Sequence, residues 1–367
     1  MAGPNNYYVD PAINANSGAG TLGDPFGDLQ YCLNTITRST TVGDQVNIKA
    51  GTSEFPASAI TLATYGSPTM LILRGYTSAA NDGGQGVIDF GGASVNVLAS
   101  TYGNLQLIDL KIRNNGTGTL NLSGGTNTVT HCEIEVNGQI TIGNNGSGIQ
   151  FSKITTSNFS GILFGYGGCF AVGNLLIHSG ASYGMLVNGT GCFVLGNVIK
   201  QSHAGANGIY LLSSVVYSPP VIHNSIINTA NSTGAGIILA VSAHSSTVVA
   251  NNIIQGYSGA GGAAIKSTGT TRCVGAIRNN RWFNCTNGNL STDAFVITDN
   301  SALAASPFAD VSANDFRVSA DVAGIGYPSS LLGASLSVNS LDIGALQRVT
   351  SGGGSLTTGI KKGIRIP

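Results

Sequence analysis

Charge is what this chain has least of. Asp, Glu, Lys and Arg make up 9% of its 367 residues, where an ordinary globular domain carries about 25%. The surface must therefore be built of Ser, Thr, Asn and Gly, and Gly alone fills 53 positions. The shortage is sharpest for one sign over one stretch: from Val136 to Thr292 there is no Asp or Glu. Paired carboxylates for glycoside hydrolysis cannot exist there. Neither can a calcium site built from clustered Asp side chains. The formal net charge is zero and no basic stripe appears, so nucleic acid is excluded as an expected partner.

Long apolar runs are also missing. None approaches the roughly 18 residues of a membrane-spanning helix. The opening residues, MAGPNNYYVD, lack the basic and apolar regions of a secretory signal. Either the chain is not exported by that route or it begins after cleavage. Six cysteines, Cys32, Cys132, Cys169, Cys192, Cys273 and Cys285, are scattered without metal-ligand spacing and read as buried free thiols. There is no P-loop, no G-x-S-x-G elbow and no H-E-x-x-H. No cofactor and no metal centre is expected.

What the chain has instead is repetition. The segments LQLIDLKIRN, TVTHCEIEVN, IQFSKITTSN, FAVGNLLIHS, FVLGNVIKQS, PVIHNSIINT, TVVANNIIQG and GAIRNNRWFN can be laid under one another. One inward column then reads Ile112, Ile134, Ile154, Leu176, Ile199, Ile226, Ile254, Trp282. A second reads Leu120, Ile140, Ile162, Met185, Ile209, Ile237, Ile265. Both drift together from a period near 20 to one of 28 residues, which means one structural unit per period with insertions absorbed in loops. Each segment is short, β-branched and alternating, as in Ile108, Leu110 and Ile112 against Asp109, Lys111 and Arg113, so the units are strands. Such a unit with no helical crossover is one coil of a parallel β-solenoid. Asn174, Asn197, Asn224, Asn252 and Asn280 fall two residues before the apolar column. They are placed to stack amide on amide at a corner. Cys169 and Cys192 lie one period apart and should stack as thiols.

Near the start, Asp24 as N-cap, Pro25 at the first helical position, and Leu29, Cys32, Leu33 and Ile36 on one face predict a short amphipathic helix over 25–37. It would cover the open end of the first coil, which otherwise exposes core and strand edges. The expected division is 1–45 for the N-terminal segment with this helix, 46–300 for the solenoid, 301–350 for a closing segment and 351–367 for a Gly-linked tail.

Tyr7, Tyr8, Val9 and Asp10, then Gly23, Asp24, Pro25, Phe26, Leu29 and Gln30, then Gly43, Asp44, Val46, Ile48, Ala50, Gly51 and Thr52 resemble the opening of the right-handed parallel β-helix superfamily, which includes pectate-lyase-like proteins. SPFADVSANDFRV, AGIG and DIGALQ resemble the closing segment of its phage-associated members. The resemblance implies an all-β, single right-handed parallel β-helix with a capping helix. It leaves activity open, because that superfamily holds lyases, hydrolases, adhesins and tail proteins. The lyase motif Arg-x-Pro-x-x-Arg is absent. The turn GGQGVID comes near the calcium nonapeptide GGxGxD, but its Asp89 is one residue late and the motif does not recur.

One charged patch stands out. In the coil alignment Asp109 stacks on His131, Lys111 on Glu133 and then Lys153, and Arg113 on Glu135, all outward. The lyase reading makes a Lys and an Arg the base and acid acting on a uronic-acid sugar. The structural reading is a ladder of opposite charges on adjacent strands, and the alternation of sign down each column favours it. His178, His203, His223 and His244 share no ligand face and are expected at corners or in solvent. Tyr166, Tyr183, Tyr210 and Tyr257 are candidates to stack on sugar rings. Two functions are thus expected in competition. The preferred one is a non-enzymatic structural or binding protein of a virion or cell surface, assembling with itself or another surface protein through the tail and engaging polysaccharide. The other is a polysaccharide lyase acting on a uronate polymer.

Overall fold

The computed structural model describes residues 4–13, 17–54, 60–62, 69–92, 98–100, 104–157, 160–212, 220–240, 247–268, 274–289 and 294–318. Among these residues three parallel sheets of 12, 11 and 10 strands form, and each turn of the chain adds one strand to each. Sheet A begins with Asn5–Val9 and ends with Ala294–Thr298, sheet B runs from Ser53–Glu54 to Ser301–Ala302, and sheet C from Ile60–Leu62 to Asn287–Asn289. The chain is an all-β parallel β-solenoid.

Both apolar columns hold their register. Ile112, Ile134, Ile154, Leu176, Ile199, Ile226, Ile254 and Trp282 are successive partners in sheet B. Leu120, Ile140, Ile162, Met185, Ile209, Ile237 and Ile265 are successive partners in sheet C. Apart from the half-buried Trp282, these side chains are fully buried in one continuous core. A parallel sheet requires such a core because each coil is too thin to bury its own apolar face.

The corner from sheet A to sheet B is a single left-handed residue. Asp109, His131, Phe151, Gly173, Gly196, His223, Asn251, Asn279 and Asp299 occupy it on successive coils with φ between 49° and 65°. Gly, Asn and Asp fill six of these nine positions, Gly because it has no Cβ and Asn and Asp because their short polar side chains can bond locally in this conformation. The following residue turns inward, and there the Asn ladder forms. Asn174 donates through Nδ2 to Asn197 Oδ1 at 2.9 Å, Asn197 to Asn224 at 3.0 Å, Asn224 to Asn252 at 3.0 Å and Asn252 to Asn280 at 2.9 Å. Asn300 adds one further rung.

The cap helix forms, but later than the sequence predicts. It spans Leu29–Thr35 with Asp28, not Asp24, as N-cap, its carboxylate accepting from the Tyr31 N–H. Phe26 is held extended, its N–H donating to Tyr8 O and its carbonyl accepting from Asp10 N, so the helix cannot start at Pro25. Leu29, Cys32 and Leu33 are nonetheless fully buried at the head of the core. The strand Asn5–Val9 pairs in register with Asp44–Lys49, so the N-terminal segment supplies the first strand of sheet A.

At the other end the chain doubles back. Phe308–Asp310 and Asp315–Val318 form an antiparallel hairpin. Phe308 and Phe316 bury against Leu175, Val198, Ile227 and Ile253, which project outward from sheet B. Lys200 Nζ donates to Asn314 Oδ1 at 2.6 Å and to Val311 O at 3.2 Å, and Ser306 Oγ to Gln255 Oε1 at 2.9 Å.

Candidate functional site

The outer face of sheet B changes character along its length. One outward column reads Val87, Lys111, Glu133, Lys153, Leu175 and Val198; its neighbour reads Asp89, Arg113, Glu135, Thr155, Ile177 and Lys200. The first part of the face is thus a charged ladder, and the hairpin covers the apolar part that follows.

In-register pairing sets long side chains one coil apart, close enough to bridge. Glu133 lies between Lys111, at 3.1 Å, and Lys153, at 2.9 Å, one on each carboxylate oxygen. Burial alone would raise its carboxyl, but the two bonded ammonium groups outweigh burial and hold it below the usual range. Lys111 also reaches Glu135 at 3.6 Å. Arg113 spans Glu135 at 2.9 Å and Asp89 at 3.3 Å. Lys111, Arg113, Glu133, Glu135 and Lys153 are therefore brought together as one network. His131 stands apart at the corner, with Nδ1 3.8 Å from Asp109 Oδ1 and its ring against Phe151 at 5.8 Å.

Two members escape the sequence alignment. Asp89 extends the ladder by one coil and Arg74 holds Asp109 through two contacts of 3.2 Å. A signal existed for the first: GVIDF has the same alternation as LKIRN, and Ile88 pairs with Ile112. Asp89 in the near-calcium turn faces Arg113 and caps the Gly91 N–H at 2.9 Å.

Chemically the ladder is a set of mutually neutralised charges. Each carboxylate is engaged by at least one cation and each Lys ammonium by a carboxylate. A Lys acting as a base would first have to leave its partner and lose its proton. Among the described residues no three or more His, Cys, Asp or Glu side chains are grouped to hold a metal ion.

The other candidates are dispersed. His178 is fully buried rather than at a corner or in solvent, bonded through Nδ1 to Thr156 Oγ1 at 2.9 Å. It belongs to an inward polar column with Gln201 and Asn228, and its alternation with buried Leu176 is the signal for that. His203 is exposed, His223 occupies the corner and His244 lies outside the described residues. Tyr257 is also fully buried, donating to Gln201 Oε1 at 2.7 Å, and cannot stack on a sugar. Tyr183 and Tyr210 lie ring to ring at 4.4 Å. Tyr166 stays 59% exposed.

No family model matches the chain, and no curated protein matches it. Among solved structures it is similar to pectate lyase Pel9A, at 15% identity over 95% of this chain and 98% of that one, with a TM-score of 0.49. It is also similar to a GH136 lacto-N-biosidase from Eubacterium ramulus, at 10% identity over 81% and 68% of the two chains, TM-score 0.40. A third is the catalytic unit of a thermostable GH87 α-1,3-glucanase from Streptomyces thermodiastaticus, at 12% identity over 81% and 68%, TM-score 0.42. The fold rests on the strand pairing itself, and no activity is carried over from likenesses this distant.

Proposed function

We propose that this chain is a non-enzymatic structural or binding β-helix of a virion or cell surface, which assembles with itself or a surface partner and engages polysaccharide. The observation that carries the reading is the commitment of the acidic groups. The solenoid from Val136 to Thr292 has no carboxylate at all, and Asp89, Glu133 and Glu135 on the outer face of sheet B are held in ion pairs with Lys111, Arg113 and Lys153. A polar, weakly charged shaft suits persistence outside a cell. Residues 351–367, which lie outside the described residues, are the proposed assembly element, with Ile360, Ile364 and Ile366 interleaved with basic residues.

Two measurements test it. Virions or cell envelopes from the native source should carry the chain through purification. A panel of uronate polysaccharides should give no rise in absorbance from an unsaturated product. Lyase activity that disappears in Lys111→Ala or Lys153→Ala would replace this reading with that of a polysaccharide lyase.

A further inference from the structure

Cys169 and Cys192 occupy the same corner on successive coils. Each directly precedes a strand of sheet A, Phe170–Val172 and Phe193–Leu195, in which Phe170 pairs with Phe193. The Phe193 N–H donates to the Cys169 carbonyl at 3.0 Å. Both side chains point into the core, at 0% and 1% exposure, and each thiol meets a carbonyl of the preceding coil, Cys169 Sγ at 3.3 Å from Asn144 O and Cys192 Sγ at 3.2 Å from Tyr166 O. In-register neighbours of this kind have Cα atoms about 4.8 Å apart, inside the roughly 4.4–6.8 Å that a disulfide spans. The other described cysteines sit elsewhere in the fold. Cys32 is in the helix Leu29–Thr35, Cys132 is the inward residue after the corner at His131, and Cys285 lies two residues beyond the strand Arg281–Phe283.

We propose that Cys169 and Cys192 form a latent inter-coil disulfide, closed when the chain folds in an oxidising compartment and left open when it folds in a reducing one. Closure joins the two sulfurs and removes one hydrogen from each thiol. A disulfide oxidant such as oxidised glutathione takes up both hydrogens and becomes two thiols. The sulfurs are reachable only before the coils stack, since thiol–disulfide exchange needs access to sulfur. The redox state is thus set during folding and kept afterwards. A cross-link closing this short loop stabilises chiefly by restricting the unfolded chain.

The test compares full-length chain exported to an oxidising periplasm with the same chain made in a reducing cytosol. Free thiols are blocked with N-ethylmaleimide in denaturant and the peptides are mapped by mass. The exported protein is expected to show the Cys169 and Cys192 peptides joined and lighter by two hydrogens, and to melt a few degrees higher. The cytosolic protein should show both alkylated and stay so after incubation, still folded, with oxidised glutathione. Refolding from denaturant with oxidised glutathione gives a second route to the closed form. Exported Cys192→Ser should leave Cys169 alkylatable. Both cysteines free in exported and in oxidatively refolded protein, or either joined to a third cysteine, would overturn the proposal. Ready oxidation of the folded cytosolic form would overturn its dependence on folding.

Discussion

At the residue scale, what distinguishes this solenoid is how it treats polar groups that have no access to water. An Asn in the ladder satisfies its neighbour's main chain as well as its side chain. Asn224 Oδ1 accepts from the Asn197 N–H at 3.0 Å as well as from Asn197 Nδ2, and Asn224 Nδ2 donates to Val194 O and Ile222 O. Asn224→Ala would leave several buried donors and acceptors without partners, at about 1–3 kcal/mol for an unsatisfied group. We expect a clear drop in urea midpoint, and a smaller one for Asn300→Ala, which serves only the coil before it. Equal effects would show that the ladder does not act through shared bonds. His178 and His223 make a second residue-scale test. Burial lowers both to about 4, and for His178 the Thr156 contact opposes that only in part. The folded state therefore resists protonation below pH 6.5 while the unfolded chain accepts it, so the stability tied to each is whole above pH 6.5 and is lost as pH falls toward 4. Each should be worth on the order of 3 kcal/mol across that window. His178→Gln should flatten the decline of the melting midpoint in that range, and an unchanged slope would count against the assignment.

At the element scale, strand identity was legible in the sequence because burial on one face leaves an alternating pattern. The cap helix and the hairpin were harder, for different reasons. Helix signals at Asp24 and Pro25 are local, whereas the pairing that holds Phe26 extended comes from Tyr8 and Asp10, so a tertiary contact overrode propensity. The hairpin's landing site was written as doubled apolar residues, Leu175-Leu176, Val198-Ile199, Ile226-Ile227 and Ile253-Ile254. Apolar side chains of both parities mean a strand buried on both faces. What covers the second face cannot be read from the strand alone. Phe316→Ala should weaken the hairpin by about 3–5 kcal/mol while leaving the coils paired. Trypsin cleavage at Arg317 is then expected to speed up with the main thermal transition unmoved. A lowered main transition would mean that the hairpin and the solenoid unfold as one unit.

At the scale of the whole molecule, the charged ladder was legible as a set of positions but not as a network. Register follows from the apolar columns, so Lys111, Glu133 and Lys153 could be aligned from the sequence. The bonds to Asp89 and Arg74 depend on a coil whose loops obscure the period. The same geometry makes the solenoid open-ended in principle, since each coil is a template for another and only a terminus that refuses pairing can stop growth. We expect the helix Leu29–Thr35 to perform that role, since Leu33 is fully buried in the core. Leu33→Asp places a carboxylate in the apolar core, a cost the helix escapes by lifting away. The first coil would then present apolar side chains and free strand edges. We expect the variant to form end-to-end aggregates that grow with concentration in light scattering and to melt at a lower temperature. A variant as monodisperse and heat-stable as the parent would show that the helix does not guard that end.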